Sequence, residues 1–290
     1  MKSIYNKFYD FKESPFNLTP NSRFFFQSAK HTEALNSMLY AINERKGFIV
    51  ITGEIGSGKT TVCRTLLNKV GAQVQVALIT NTHISGKDLL MTILDDLDVE
   101  YKPGSKAQLL NQLNTYLIEQ LYNDNNVVLI VDEAQNLQPS VLEEIRMLSN
   151  LETETEKLIQ IILLGQPELK KKLGLDRLEQ LRQRIAVYYH LTPLTAEETK
   201  AYITHRLEVA SSSKRQYLTP RALEMIYEFS QGVPRLVNQV CDSVFLAGYA
   251  QGTKLIDEHL LQEVIKELPM QQIEREKHLR DQVFEEQKLN

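Results

Sequence analysis

Residues 47 to 61 read Gly47-Phe-Ile-Val-Ile-Thr-Gly-Glu-Ile-Gly-Ser-Gly-Lys-Thr-Thr61. The run from Phe48 to Thr52 is apolar or β-branched, which is typical of a buried strand in a parallel sheet. The next residues match the phosphate-loop pattern G-x-x-x-x-G-K-[ST], whose backbone N–H groups surround phosphate oxygens. A helix predicted from about Thr60 to Val70 directs its positive end at the same anion. Strand, loop and helix together predict a nucleotide-binding site.

The pattern also assigns roles inside the loop. Lys59 adds a positive charge near the β- and γ-phosphates, and Thr60 offers its hydroxyl to Mg²⁺. The predicted nucleotide-contacting positions are Gly53, Glu54, Ile55, Gly56, Ser57, Gly58, Lys59, Thr60 and Thr61.

A second apolar run predicts the catalytic half of the site. Residues 127–131 read V-V-L-I-V and end in Asp132-Glu133. An aspartate at the end of a buried strand can bind Mg²⁺ through water, and the adjacent glutamate can orient or deprotonate an attacking water. The sequence therefore predicts a nucleotide hydrolase with Asp132 at the metal and Glu133 as the base.

Composition narrows the class of protein. The chain has 290 residues, 42% of them hydrophobic and 24% charged, as in ordinary globular proteins. Its formal net charge of -4 gives no overall argument for nucleic acid or an acidic membrane surface. Cys63 and Cys241 form no disulfide or zinc pattern, and the histidines never fall at ligand spacing. No apolar run predicts a membrane span or signal peptide, so a cytoplasmic protein is expected.

Periodicity predicts an α/β fold followed by helices. The predicted strands are 48–52, 74–80, 127–131, 158–164 and 186–191, with helical patterns between them. This alternation favours a parallel sheet covered by helices on both faces. The predicted domains are 1–46, an aromatic segment and helix packed on the core; 47–193, the α/β nucleotide-binding core; 194–268, a helical lid; and 269–290, a charged tail.

The order of motifs resembles a known family. After the phosphate loop and the Asp-Glu strand come Leu163-Leu-Gly-Gln-Pro-Glu-Leu169, Leu181-Arg-Gln-Arg184 and Gly232-Val-Pro-Arg235. Together with Pro15-Phe-Asn-Leu-Thr-Pro20, this order is similar to AAA+ ATPases of the general secretion pathway protein A group (ExeA-like), which includes the pilus-biogenesis relative MshM. The resemblance covers about residues 5 to 268 and implies an ATPase that uses ATP and Mg²⁺.

The resemblance implies further site residues. Gln166 corresponds to the polar sensor of the γ-phosphate, unless it is a turn residue before Pro167. Arg235 corresponds to a lid arginine that reaches the nucleotide of its own subunit. Arg182 or Arg184 corresponds to an arginine finger presented to a neighbouring subunit, and Arg184 is favoured slightly. A finger of this kind implies a homo-oligomer with shared ATP sites.

Two functions follow from the resemblance. The favoured one is a cytoplasmic ATPase that assembles or remodels a protein partner in secretion or type IV pilus biogenesis. The alternative is a transposition-type regulator that binds duplex DNA and recruits a transposase, with Lys170-Lys-Lys172 as a candidate contact. Larger members of the group continue into a membrane span and a peptidoglycan-binding module, and the sequence predicts neither.

Overall fold

A computed structural model describes residues 4–211, 213 and 215–268. These residues form two compact units, one of residues 20–192 and the other of residues 4–19 with 193–268. The predicted tail 269–290 lies outside the described residues. Among the described helices, none combines the length and apolar character that crossing a bilayer requires.

The first unit is built on a parallel sheet of five short strands, of which β1, β3 and β4 are almost entirely buried. Its strands are β1 (Phe48–Gly53), β2 (Val74–Ile79), β3 (Asn126–Val131), β4 (Gln160–Gly165) and β5 (Ile185–Leu191). They lie in the order β2-β3-β4-β1-β5, and β1 pairs with β4 from Phe48↔Ile161 to Thr52↔Gly165. Parallel pairing brings the carboxyl ends of all five strands to one edge, where the phosphate loop begins.

Helices cover both faces of this sheet. They are α2 (Ala29–Asn43), α3 (Lys59–Leu67), α4 (Gly86–Asp96), α5 (Lys106–Tyr122), α6 (Pro139–Leu148), α7 (Pro167–Leu173) and α8 (Glu179–Gln183). Serine side chains cap the N-termini of α2, α4 and α5, and in α4 and α5 the Ser-x-x-Asp and Ser-x-x-Gln patterns complete a capping box. The predicted fold class, a parallel sheet with helices on both faces and a helical C-terminal region, is confirmed.

Alternating side chains of β1 divide the core into two layers. Phe48 and Val50 pack in a cluster with residues of α4, α5 and α6. Ile49 and Ile51 pack in a second cluster with residues of α2 and α3. A strand buried on both faces needs the continuous apolar run that the sequence shows here.

The second unit is helical. Its helices are α9 (Ala196–Ala210), α10 (Pro220–Ser230), α11 (Pro234–Ala250) and α12 (Glu258–Glu267), preceded near the N-terminus by the single turn α1 (Asn6–Tyr9). Thr195 and Glu198 form the predicted capping box of α9. Gly232 precedes α11 with φ of +74°, and a Cβ there would lie 1.9 Å from the Leu194 carbonyl oxygen. A close backbone approach therefore requires glycine at this position.

The N-terminal aromatic residues belong to the helical unit. Side chains that pack around Phe245 of α11 come from Tyr5, Tyr9, Phe11 and Phe16. The buried Arg206 guanidinium donates to the Pro15 carbonyl at 2.5 Å. The predicted N-terminal domain 1–46 is thus divided in the structure: residues up to 19 group with the helical unit, and residues from 20 group with the α/β unit. The other division of the chain lies between Thr192 and Pro193, and the core 47–193 and lid 194–268 stay predictions.

Candidate active site

The phosphate loop joins β1 to α3 through backbone that glycine adopts most easily. Gly56 and Gly58 have φ of 79° and 99°, in the left-handed region. Gly53 lies so close to β5 that a Cβ would be 2.8 Å from the Leu191 carbonyl oxygen. Because α3 begins at Lys59, its free N–H groups and the positive end of its dipole face the loop. The loop therefore has the backbone geometry of an anion-binding site.

Lys59 is buried inside this loop. Its ammonium donates to the carbonyl oxygens of Gly53 at 2.7 Å and Glu54 at 2.9 Å. Burial lowers the pKa of Lys59, and nearby carboxylates, with Glu133 the strongest and Asp132 next, act in the opposite direction. A buried cation beside an anion-binding loop is favourably placed to receive a phosphate group.

The two halves of the predicted site meet at Thr60 and Asp132. The Thr60 hydroxyl, in the first turn of α3, donates to Oδ2 of Asp132 at 2.9 Å. Asp132 directly follows β3 and is 8% exposed. A hydroxyl and a carboxylate oxygen are ligands of the kind that Mg²⁺ takes in nucleotide sites, so the residues present fit that ion.

Glu133 is oriented by two glutamines. Its backbone is left-handed, with φ of 53°. The side-chain amides of Gln135 and Gln166 both donate to its Oε2, at 2.6 Å and 3.1 Å. The Gln166 backbone N–H in turn donates to Gln135 Oε1 at 3.0 Å. The predicted base, Glu133, and the predicted γ-phosphate sensor, Gln166, are thus hydrogen-bonded to each other. Gln135 also hydrogen-bonds to both of them.

Lys172 supports the turn that follows Glu133. Its ammonium donates to the Leu137 carbonyl at 2.7 Å and also to the Gln135 carbonyl. Burial lowers the pKa of Lys172, and the charge of Arg177 lowers it further. Lys170 instead lies 5.7 Å from the centre of the Tyr188 ring. Lys172 is therefore used within its own chain, whereas Lys170 and Lys171 are exposed.

The candidate arginine fingers differ in their surroundings. Arg184 is half-buried and donates from Nη1 to the Ser149 hydroxyl at 2.7 Å. Arg182, at the end of α8, is exposed and makes a long contact of 3.4 Å with the Leu173 carbonyl. Arg235 is exposed near the start of α11. The roles assigned to these three arginines and to Gln166 remain predictions.

Sequence reasoning missed two residues of the site. Gln135 stands two positions after Glu133 in Asp-Glu-Ala-Gln, and a glutamine so close to an acidic strand end was an available signal. His31, on α2, contacts the loop at Ser57 across 26 residues of chain. No local sequence pattern indicates the contact between His31 and Ser57.

Comparison with known proteins gives the same family as the motifs. A family described as an AAA domain matches residues 42–173. General secretion pathway protein A of Aeromonas hydrophila is 40% identical over 254 residues, which is 87% of this chain. Both matches support the resemblance to AAA+ ATPases of the general secretion pathway protein A group. It spans 46% of the length of that Aeromonas relative.

Solved structures agree on the fold of this chain. The ORC2 protein of Aeropyrum pernix in its ADP form is 16% identical, with a TM-score of 0.66 over 89% of this chain and 73% of that one. CDC6P of Pyrobaculum aerophilum is 19% identical, with a TM-score of 0.66 over 84% and 67%. The RuvB motor of Thermotoga maritima is 17% identical, with a TM-score of 0.57 over 83% and 70%. At these identities the likeness shows the fold alone.

Proposed function

We propose that this chain binds ATP with Mg²⁺, hydrolyses it, and uses the reaction to assemble or remodel a protein partner. The observation that carries the proposal is the Thr60–Asp132 contact of 2.9 Å, because it joins the phosphate loop to the acidic end of β3. Both halves of a nucleotide hydrolase are then in one place. Glu133 is near enough to influence the pKa of Lys59.

The bound triphosphate would lie against the loop and the first turn of α3. Backbone N–H groups of the loop donate to phosphate oxygens, and Lys59 exchanges its two carbonyl acceptors for the β- and γ-phosphates. Thr60 and Asp132 supply ligands for Mg²⁺, which when bound neutralises charge on the phosphates. These groups bind and align the triphosphate for in-line attack.

Glu133 would act on the attacking water. Its carboxylate orients that water and accepts its proton as attack on the γ-phosphorus proceeds. Gln166 can donate its side-chain amide either to Glu133, as observed at 3.1 Å, or to a γ-phosphate oxygen. When ATP is bound, the Gln166 amide would donate to the γ-phosphate, and Glu133 would lose its hydrogen bond from Gln166. Gln166 would thereby link the arrival of the γ-phosphate to the freedom of the base.

Assembly follows from an arginine finger supplied by a neighbouring subunit, Arg182 or Arg184. The proposed partner belongs to a secretion machine, on the strength of the Aeromonas relative's name, or to a type IV pilus machine, which rests on the motif resemblance alone. An ATP-dependent enzyme works where ATP is supplied, so we place this activity in the cytoplasm. A DNA-dependent function is not favoured, since Lys172 is used within its own chain and the net charge is -4.

Steady-state ATP turnover tests the proposal. It should be measured over a range of protein concentrations, with Mg²⁺ or EDTA, and with or without duplex DNA at low and moderate salt. We expect Mg²⁺-dependent turnover whose rate per subunit rises with protein concentration and does not respond to DNA. Strong, salt-sensitive stimulation by DNA would instead support the transposition-type function. The absence of Mg²⁺-dependent turnover at every concentration would contradict the proposal.

A further inference from the structure

A buried histidine outside the phosphate loop hydrogen-bonds to it. His31 lies in the first turn of α2 and is 6% exposed. Its Nε2 is 2.9 Å from the Ser57 carbonyl oxygen. A carbonyl oxygen can only accept, so Nε2 carries the proton and donates.

Ser28 orients the other side of the ring. Its hydroxyl oxygen is 2.7 Å from Nδ1 of His31, and it also caps α2 by accepting from the His31 backbone N–H. With Nε2 protonated, Nδ1 of the neutral ring accepts from the Ser28 hydroxyl. The Phe25 ring packs edge-on at 6.2 Å between centroids. The imidazole is therefore oriented by its neighbours before any nucleotide binds.

Gly58 provides the surface on which this ring rests. A Cβ at position 58 would lie 2.7 Å from Nε2 of His31. Glycine is thus needed at position 58 both for its φ of +99° and for the space that the histidine fills. The phosphate loop and α2 are therefore in close contact at Gly58 and His31.

The contact between His31 and the Ser57 carbonyl also determines the direction of the Gly58 N–H, because both groups belong to one peptide. In a trans peptide the carbonyl and the N–H point in opposite directions. No cis peptide bond is present among the described residues. When the Ser57 carbonyl points at His31, the Gly58 N–H of the same peptide points away from the ring, toward the side of the loop where phosphate oxygens bind.

We propose that His31 is a positioning residue for nucleotide binding, which orients the Ser57–Gly58 peptide so that its N–H donates to a phosphate. This inference rests on the proposed function, because it concerns the same loop. It extends the site to α2, a helix that precedes the nucleotide-binding motifs in the sequence. Ser28 has a supporting role through the ring.

Two substitutions separate the hydrogen bond from the packing of the ring. His31→Leu fills the space and removes the donor, whereas His31→Gln keeps an N–H at a similar reach. Affinity for ADP with Mg²⁺, measured by isothermal titration calorimetry, avoids any contribution from hydrolysis. We expect His31→Leu to weaken ADP binding by about tenfold, as loss of a buried hydrogen bond does, and His31→Gln to stay within about threefold of the wild type. The exposed His83→Leu is the matched control and should bind as the wild type does.

The outcomes are distinguishable from those of the proposed function. If the wild type does not bind ADP, the proposed function is wrong. If it binds and His31→Leu binds equally well, only the role of His31 is wrong. A second measurement needs no variant: long-range ¹H–¹⁵N spectra of the wild-type protein should show His31 protonated at Nε2 near neutral pH. A ring protonated only at Nδ1 would overturn the inference even if the variants fail to fold.

Discussion

The side-chain amide of Gln135 donates a 2.6 Å hydrogen bond to the carboxylate of Glu133, two residues earlier in the chain. Gln166 donates to the same oxygen, and its own backbone N–H returns to Gln135. The proposed base is therefore oriented by a closed set of hydrogen bonds. Such a set specifies one position for the carboxylate and limits the side-chain freedom that would weaken its contact with a water.

Glu133→Gln should separate ATP binding from hydrolysis. The amide has nearly the same shape but cannot accept a proton, so we expect turnover to fall by about a hundredfold or more. Affinity for ATP should stay within about threefold, because Lys59 and the loop are unchanged. Single-turnover hydrolysis and calorimetric titration measure the two effects. Glu119→Gln, the control, makes the same chemical change at an exposed site on α5 and should leave turnover unchanged. Undiminished turnover by Glu133→Gln would show that Glu133 is not the base.

Gln135→Ala should reduce kcat more than it changes KM. The substitution removes one donor to Glu133 and leaves the Gln166 backbone N–H without its acceptor, so we expect kcat to fall by about tenfold. The nucleotide contacts stay intact, and KM for ATP should therefore change little. Steady-state kinetics measure both, with Gln138→Ala as an exposed control three residues later. A higher KM with an unchanged kcat would show that Gln135 does not act through Glu133.

Mixed subunits can identify the arginine finger. Arg184 donates to Ser149 within its own chain and Arg182 is more exposed, so we expect Arg182→Ala to lose more activity although sequence reasoning placed Arg184 first. Subunits carrying Arg182→Ala retain the base, and subunits carrying Glu133→Gln retain the finger. Mixing the two should restore turnover at their shared sites, because each supplies what the other lacks. Arg177→Ala, nearby and exposed, is the control and should keep its turnover. If turnover does not recover in the mixture, the arginine finger is not supplied by another subunit.

The two cysteines should not react in the folded protein. Burial raises the pKa of Cys63 from 9.0 to about 12, and burial raises the pKa of Cys241 as well. Thiolate is the reactive form, so a thiol reagent at pH 8 should modify neither residue until the protein unfolds.

The same shift sets a stability limit at high pH. The folded-state pKa of Cys63 lies above its unfolded value, so its contribution to the free energy of unfolding is complete below pH 9.0 and is lost as the pH rises toward about 12. Denaturant titrations at pH 8 and pH 10 measure this loss. Rapid modification of either thiol at pH 8 without unfolding would contradict the burial.

Local patterns were enough to predict the sheet and the segments that meet at its carboxyl edge. Continuous apolar runs indicate β1 and β3 because strands buried on both faces tolerate no polar alternation. Glycines and Lys59 mark the loop because phosphate binding constrains consecutive residues. The end of a parallel strand likewise places Asp132 and Glu133 at the sheet edge, and their position required no knowledge of distant contacts.

Contacts between distant segments were beyond prediction from one sequence. The hydrogen bond from His31 to Ser57 depends on how α2 packs against α3, and nothing in either segment records that pairing. The contact between Arg184 and Ser149 likewise spans 35 residues. Aromatic residues near the N-terminus did indicate a segment packed on other structure, but they could not show that its partner lies at Phe245.

The division of the chain gives the protein an unusual order of completion during synthesis. Residues 4–19 leave the ribosome before residues 20–192, but the surface around Phe245 that buries their aromatic rings is translated only after the whole of residues 20–192. The nucleotide-binding unit is in covalent terms an insertion within the helical unit. Since domains fold as units while they emerge, the phosphate loop can form while the nascent chain still exposes Tyr9 and Phe16. The helical unit can therefore be completed only after the nucleotide-binding unit has been translated.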